Sequence, residues 1–483
     1  MSVRIGLAAL VVTAAAAGAC ATMWFIGLAV GAGGSACVLA TVVALSLGRR
    51  TFATRADFAR SAALLPVIGL AAGAVGWLLM TVPPLGAALF VAGMSIPIWM
   101  RRFGPRVARL GALIALPLTA VLVAPVPASP GVPAWLTAVL VLMAGVVAAL
   151  WVAVARELLR LIPGEAQLQE AAPPPEPRQQ AAPKPGTRRL PASTRMAIQM
   201  AVALSSAFVV GWAVFPDHVV WVVLTAFLVC SGNRGRADVL HKSALRVLGA
   251  LGGTIGAVAI VAVLPDASGP GAVVAIFLAL FAGTWLRTVS YAYWAVAVTL
   301  ALSLLQELTG AATIAGEAGM LAERLVAIVV GAVLGIAASW FVLPVKSVDV
   351  LRRRLADVLT TLGSVLSPVD PDAAPGERAR RIAAFRASVA RVEQLAPAHR
   401  AARVIAGRRV RAIDCIEAAA ALPDALDARL ADRASGTGAR DGERLRGAIA
   451  TARRSLAAPP DLARVHDAFG TLAVTLRGGD TAP

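Results

Sequence analysis

Charge is what this sequence has least of. Asp, Glu, Lys and Arg make up 15% of its 483 residues, against about a quarter in a soluble globular chain. Acidic residues are the scarcer kind: 27 Asp and Glu stand against 45 Lys and Arg, for a formal net charge of +18. Only four cysteines occur, Cys20, Cys37, Cys230 and Cys415, and none forms a Cys-x-x-Cys pair. That spacing gives no zinc site and no disulfide frame, so they read as small buried side chains. The chain shows no Walker loop, no nucleophile–base–acid set and no metal-ligating cluster. "GAGGSA" at 31–36 lies inside an apolar run with no Lys behind it, so it is no phosphate cradle. An enzyme is not expected, nor is a metal or a cofactor.

What fills the chain instead is apolar. Hydrophobic residues make up 58% and the mean hydropathy is +0.76. Runs of about 20 such residues recur, each long enough to cross a bilayer core as a helix. The excess Lys and Arg bracket these runs rather than forming one patch. They read as cytoplasmic loop charges and contacts to anionic lipid, not as a nucleic-acid surface. The opening "MSVRIGLAALVVTAAAAGACATMW" has the look of a signal peptide. It is read here as a first transmembrane helix, because its removal would reverse the helix that follows relative to the charges.

Apolar stretches fall at about 5–24, 26–47, 60–80, 84–100, 108–126 and 134–155. A second set falls at about 196–215, 218–231, 245–264, 270–286, 289–306 and 324–343. Basic segments follow every second run: Gly48–Arg60, Arg101–Arg109 and Arg156–Arg160 in the first set. Asn233–Arg246, Arg287 and Pro344–Arg354 do the same in the second. The other connections carry no Lys or Arg; in the second set they hold Asp217, Asp266, Glu307 and Glu317. The positive-inside rule then gives about twelve transmembrane helices in a multi-pass plasma-membrane protein with both termini cytoplasmic.

The two sets also share residues. "RADFARSA" (55–62) matches "RADVLHKSA" (236–244) with one insertion, each ahead of a Gly-rich helix, and "PIWMRR" (97–102) sits where "GTWLRT" (283–288) sits. Six spans per set entered from the same side predict two parallel six-helix repeats. The expected layout is a first membrane half at 1–162, a Pro-rich cytoplasmic linker at 163–195, a second membrane half at 196–345 and a cytoplasmic helical region at 346–483.

The second half carries a resemblance. "WVVLTAFLVCSGNRGRADVLHKSALRVLGALGGTIGAV" (221–258) resembles the signature region of the fusaric acid resistance family, also called the aromatic acid exporter-like family. An aromatic run ending in Leu-Thr is followed by a basic Arg-Gly loop and a Leu-x-Arg-x-Leu-Gly helix. "ERLVAIVVGAVLGIAASWFVLP" (323–344) resembles its closing helix. The match covers about 196–350; the first half agrees only in layout. The resemblance implies proton-coupled export of small organic acids, typically aromatic carboxylates. The region is also similar to the fold of plant aluminium-activated malate channels, which conduct anions as dimers, so a homo-oligomer is left open.

Several residues carry two readings. Arg234, Arg236, Lys242 and Arg246 serve as a topology signal. Arg246, however, is followed by nineteen uncharged residues, where an Arg must snorkel or face a cavity. Lys242, Arg246, Gly249 and Gly253 share a helix face, with Gly252 and Gly256 beside them and Asp238 at the helix start. A carboxylate would meet a ladder of donors there, with glycine making room. Arg287 precedes Tyr291, Tyr293 and Trp294, either an interfacial aromatic belt or a stacking platform beside a cation. Asp217, His218 and Glu323 lie at outer turns, where a His beside a carboxylate can titrate near neutral pH. An exporter, an anion channel and a membrane scaffold acting through its tail remain the three functional readings.

Overall fold

The computed structural model describes residues 3–32, 34–50, 52, 54–123, 133–160, 190–231, 235–263, 269–308, 318–344, 347–367, 376–403, 411–434, 442–457 and 461–478. Among them there is helix and no strand. The linker expected at 163–195 lies outside the described residues up to 189, and its last residues already begin a helix at Ala192.

The chain divides into two compact units, Met1–Ser231 with Lys242–Pro344, and Gly232–His241 with Val345–Pro483. In the first unit the helices run α1 (Val3–Ala29), α2 (Ser35–Gly48), α3 (Arg55–Thr81), α4 (Pro83–Met100), α5 (Pro105–Val123) and α6 (Ala134–Arg160). They continue as α7 (Ala192–Val214), α8 (Val219–Cys230), α9 (Arg236–Val263), α10 (Pro270–Leu286), α11 (Tyr291–Leu308) and α12 (Ala318–Phe341). Among the described residues eight helices are long and apolar enough to cross a membrane, with shorter apolar helices at Ala36–Gly48, Leu113–Leu122, Pro216–Cys230 and Pro270–Leu286. The chain is thus an all-helical protein built to span a bilayer.

Local sequence sets the helix ends. The repeated Arg-Ala-Asp opens α3 and α9 alike, each with its Asp in the first turn, where a carboxylate meets the positive end of the helix dipole. At α3 the Thr54 side chain also accepts from the Asp57 amide at 3.0 Å. Pro83 and Pro270 start α4 and α10, where a missing N–H costs nothing. At the far end of α12, Gln199 of α7 donates to the Val342 carbonyl at 2.8 Å and to Leu343 at 3.2 Å. These bonds satisfy acceptors a helix end otherwise leaves open.

Helix contacts in this unit recur in matching pairs. α1 packs on α2 and α6, and α2 on α6; α7 packs on α8 and α12, and α8 on α12. α4 lies on α5 as α10 lies on α11, while α1 meets α10 and α4 meets α7.

The second unit is a helical bundle of α13 (Ser347–Leu366), α14 (Glu377–Glu393), α15 (Ala396–Arg403), α16 (Ala412–Ala420), α17 (Leu422–Ala434), α18 (Gly442–Ser455) and α19 (Leu462–Leu476). Leu355, Leu359 and Leu362 of α13 recur at helical spacing and bury against Phe385, Ile416 and Phe469. The first turn of α9 belongs to this unit. Gly235, at φ +128, leaves space for a β-carbon only 2.7 Å from the Ser347 hydroxyl, and that hydroxyl accepts from the Ala237 amide at 3.1 Å.

Candidate functional site

Arg246 sits in the third turn of α9 and is 1% exposed. A guanidinium at that depth costs several kcal/mol unless it is paired, yet no carboxylate answers it. The ion pairs among the described residues all use other arginines or His466. Nη1 donates to the Thr299 hydroxyl at 2.8 Å and to the Ala295 carbonyl at 3.5 Å, both on α11. Nε and Nη2 have no hydrogen-bond partner. These two N–H groups form one edge of the planar fork, the edge that grips a carboxylate with two parallel bonds.

α9 reaches α11 this closely because it has no side chains in the way. A β-carbon on Gly253 would stand 2.6 Å from the Val296 carbonyl oxygen, and one on Gly249 would run into Ala295. Gly252 and Gly256, facing sideways, meet only the tips of Val296 and Leu300, at 3.4 and 3.0 Å. The space spared by Gly249 and Gly253 is therefore filled by α11 rather than left open for a ligand. It buys Arg246 its contact with Thr299.

Arg246 opens on a cavity of about 1540 Å3 within the first unit. Its wall includes Arg49, Arg101 and Arg246, together with Trp221, Tyr291 and Trp294, and among the described residues no carboxylate. Arg49 lies over the Trp294 ring, 3.9 Å from its centroid, and donates to the Thr284 hydroxyl at 3.1 Å. A cation held on an aromatic face keeps its in-plane donors available. The cavity is apolar, aromatic and positive, a combination that fits a small organic anion.

The other expected residues are distributed as follows. Lys242 Nζ donates to the Ser231 carbonyl at 3.3 Å, and Lys242 does not line the cavity. Arg287 caps α10 and is exposed, and Tyr293 is 46% exposed; neither is in the wall. Asp217 is exposed and His218 buried in a one-turn 3-10 helix at Pro216–His218. Glu323 is exposed at the start of α12. Asp238 lies in the first turn of α9, in the second unit. Among the described residues no group of three or more His, Cys, Asp or Glu could hold a metal ion.

Residues 201–338 match the profile of the fusaric acid resistance protein-like family. The match covers less than a third of the chain. No curated protein and no solved structure matches the chain. Within the matched residues fall Arg246, Trp221, Tyr291 and Trp294, whereas Arg49 and Arg101 come from outside them. The cavity is thus lined by the matched region and by the first half of the chain together. Sequence reasoning passed over Arg49, Arg101 and Trp221. The two arginines follow apolar runs in basic clusters, where a topology charge and a wall residue look the same.

Proposed function

We propose that the chain is a plasma-membrane secondary transporter that exports small organic anions, aromatic carboxylates foremost, through the Arg246 cavity. The observation that carries this is Arg246 itself, a buried guanidinium whose Nε and Nη2 have no hydrogen-bond partner, in the wall of a cavity whose described lining is aromatic and cationic without an acidic residue. The membrane-type helices and the fusaric acid resistance-like match support a transporter role. The reading uses about twelve spans in two parallel six-helix halves with both termini inside. It draws support from the matched helix contacts and the shared Arg-Ala-Asp helix starts. Proton coupling is assigned to the turn holding Asp217 and the buried His218, with Glu323 exposed at the start of α12. Anionic lipid on the basic loops and a second copy of the chain complete the proposed surroundings.

The test is export of radiolabelled benzoate and 4-hydroxybenzoate from proteoliposomes, with and without an imposed pH gradient. Gradient-dependent export supports the exporter. Flux that follows membrane voltage alone, at channel rates, replaces it with an anion channel. No flux of any carboxylate leaves a scaffold working through the second unit.

A further inference from the structure

Two thiols meet in the wall of the cavity. Cys20 of α1 and Cys37 of α2 both line it. Cys37 is buried, whereas Cys20 is partly exposed, more open than its apolar sequence setting suggests. The Cys20 thiol shares hydrogen bonds with the Cys37 thiol and with the Thr41 hydroxyl, one turn further along α2. Thr41 is itself tied down, donating to the Cys37 carbonyl at 2.8 Å.

The packing on either side of the pair holds the two sulfurs in register. On one side a β-carbon on Gly34 would stand 3.0 Å from the Trp24 ring, and on the other a β-carbon on Gly48 would stand 2.9 Å from a Val12 methyl. α1 and α2 therefore run antiparallel, with Cys20 opposite Cys37 one turn in from Trp24 and Gly34. Between these contacts the seam is alanine: Ala16, Ala19, Ala40 and Ala44 are fully buried in one cluster. Small residues let helix backbones come close, and a disulfide asks for α-carbons about 4.4–6.8 Å apart.

Cys230 and Cys415 have neither feature. Both are buried, neither lines the cavity, and each donates to a backbone carbonyl, Cys230 to Gly335 at 3.6 Å and Cys415 to Leu462 at 3.3 Å. Arg49 stands twelve residues beyond Cys37 in the chain, roughly 18 Å along α2. The thiols thus lie well away from the Arg49 end of the wall.

We propose that Cys20 and Cys37 are a reversible dithiol–disulfide pair, a modification site that a small hydroperoxide entering the cavity closes into a bridge between α1 and α2. Cys20 is the thiol attacked first, because it is the more exposed. Its sulfur takes one peroxide oxygen, the O–O bond breaks, and the other oxygen leaves as alcohol or water with the thiol proton, giving a sulfenic acid. The Cys37 sulfur then displaces the hydroxyl from Cys20. The S–S bond forms, the S–O bond breaks, and water leaves with the Cys37 proton. The two thiols are oxidised by two electrons and the hydroperoxide is reduced. This site stands whether or not the cavity carries organic anions.

The test is treatment of the full-length protein in nanodiscs with hydrogen peroxide, followed by peptide mapping without reduction. Wild type should give a Cys20–Cys37 linked peptide from a chain that still runs as a monomer, and dithiothreitol should release it. The link should form at least about tenfold faster than the buried Cys230 and Cys415 lose their thiols. No linked peptide, a link only between two chains, or loss of all four thiols at one rate overturns the proposal. In C37S the sulfenic acid has no partner, so dimedone should label Cys20; in C20S it should label Cys37 far less. Equal labelling of the two overturns the order of attack. Should a serine variant not purify folded, phenylarsine oxide on wild type takes its place, since it binds neighbouring thiols in pairs. One equivalent should block alkylation of Cys20 and Cys37 together, and capture of one alone or of neither overturns the pairing.

Discussion

Gly253 and the Val296 carbonyl lie so close that a β-carbon on the glycine would stand 2.6 Å from that oxygen. This contact sets how near α9 lies to α11, and so whether Arg246 reaches Thr299. Gly253→Ala should force the helices apart and destabilise the protein by about 1–3 kcal/mol, the usual cost of overpacking. Gly252→Ala should be nearly silent, since its β-carbon would meet only a Val296 methyl at 3.4 Å. Thermal unfolding of the two purified variants side by side checks this; equal midpoints would remove the close-approach account.

Arg246 should be intolerant even of Lys. Lys keeps the charge but loses the Nε–Nη2 edge, and a lost hydrogen bond to a charged group is worth about 1.5–3 kcal/mol. Benzoate export by R246K should fall at least about tenfold by that figure, and R246Q should be lower still. Thr299→Val removes one partner of the guanidinium and should give a smaller fall. Wild-type rates in all three at equal insertion would make Arg246 a structural cation alone.

The sequence made Arg246 visible because a charge in a long apolar run has few explanations. It also showed where the helices are, since each apolar stretch falls on a helix and the short one at 218–231 became the twelve-residue α8. Arg324 and Arg49 were harder to read. Arg49 ends an apolar run in a basic cluster, where a cation is expected for topology, and Arg324 sits beside Glu323 near the start of α12 with nothing in the sequence to mark it as buried; only the fold turns one onto Trp294 and the other onto Trp221. Gly249 and Gly253 were legible as a close-packing face, but not which neighbour would occupy it. That partner, α11, is more than forty residues away in the chain. The inclusion of residues 232–241 with the second unit left no mark in composition, because a basic loop reads the same whether it is solvated or packed.

Topology can be read by labelling. Single cysteines at Ser193 and Ser367, in a background free of the four native thiols, should resist a membrane-impermeant maleimide added to intact cells. They should react after permeabilisation. Ser193 lies beside Arg189 and Arg195, and Ser367 follows the basic Pro344–Arg354 segment, both expected on the cytoplasmic side. Labelling of either from outside would reverse the assigned orientation.

The second unit should loosen in acid. Burial holds His399 below its ordinary value of 6.5, and Asp238 pulls it partly back. The unfolded chain then takes up the proton first, so stability is complete above about pH 6.5 and declines as pH falls below it toward the folded value. Hydrogen exchange across 377–403, corrected for intrinsic rate, should be faster at pH 5.5 than at pH 7.5, and H399Q should flatten the difference. An unchanged slope in H399Q would assign the acid response to other groups.

Helix α9 runs unbroken from Arg236 to Val263. Its first turns cluster with the second unit and the rest with the first. A continuous helix cannot be turned at one end only. Arg246 lies ten residues, roughly 15 Å, beyond Arg236 along this rod. The number of residues between them sets the angle at which the guanidinium leaves the helix. One residue added between them would swing Arg246 by about 100° and point it away from Thr299. The register of this single helix is therefore a mechanical dimension of the site, fixed by the count of residues rather than by any contact the guanidinium makes.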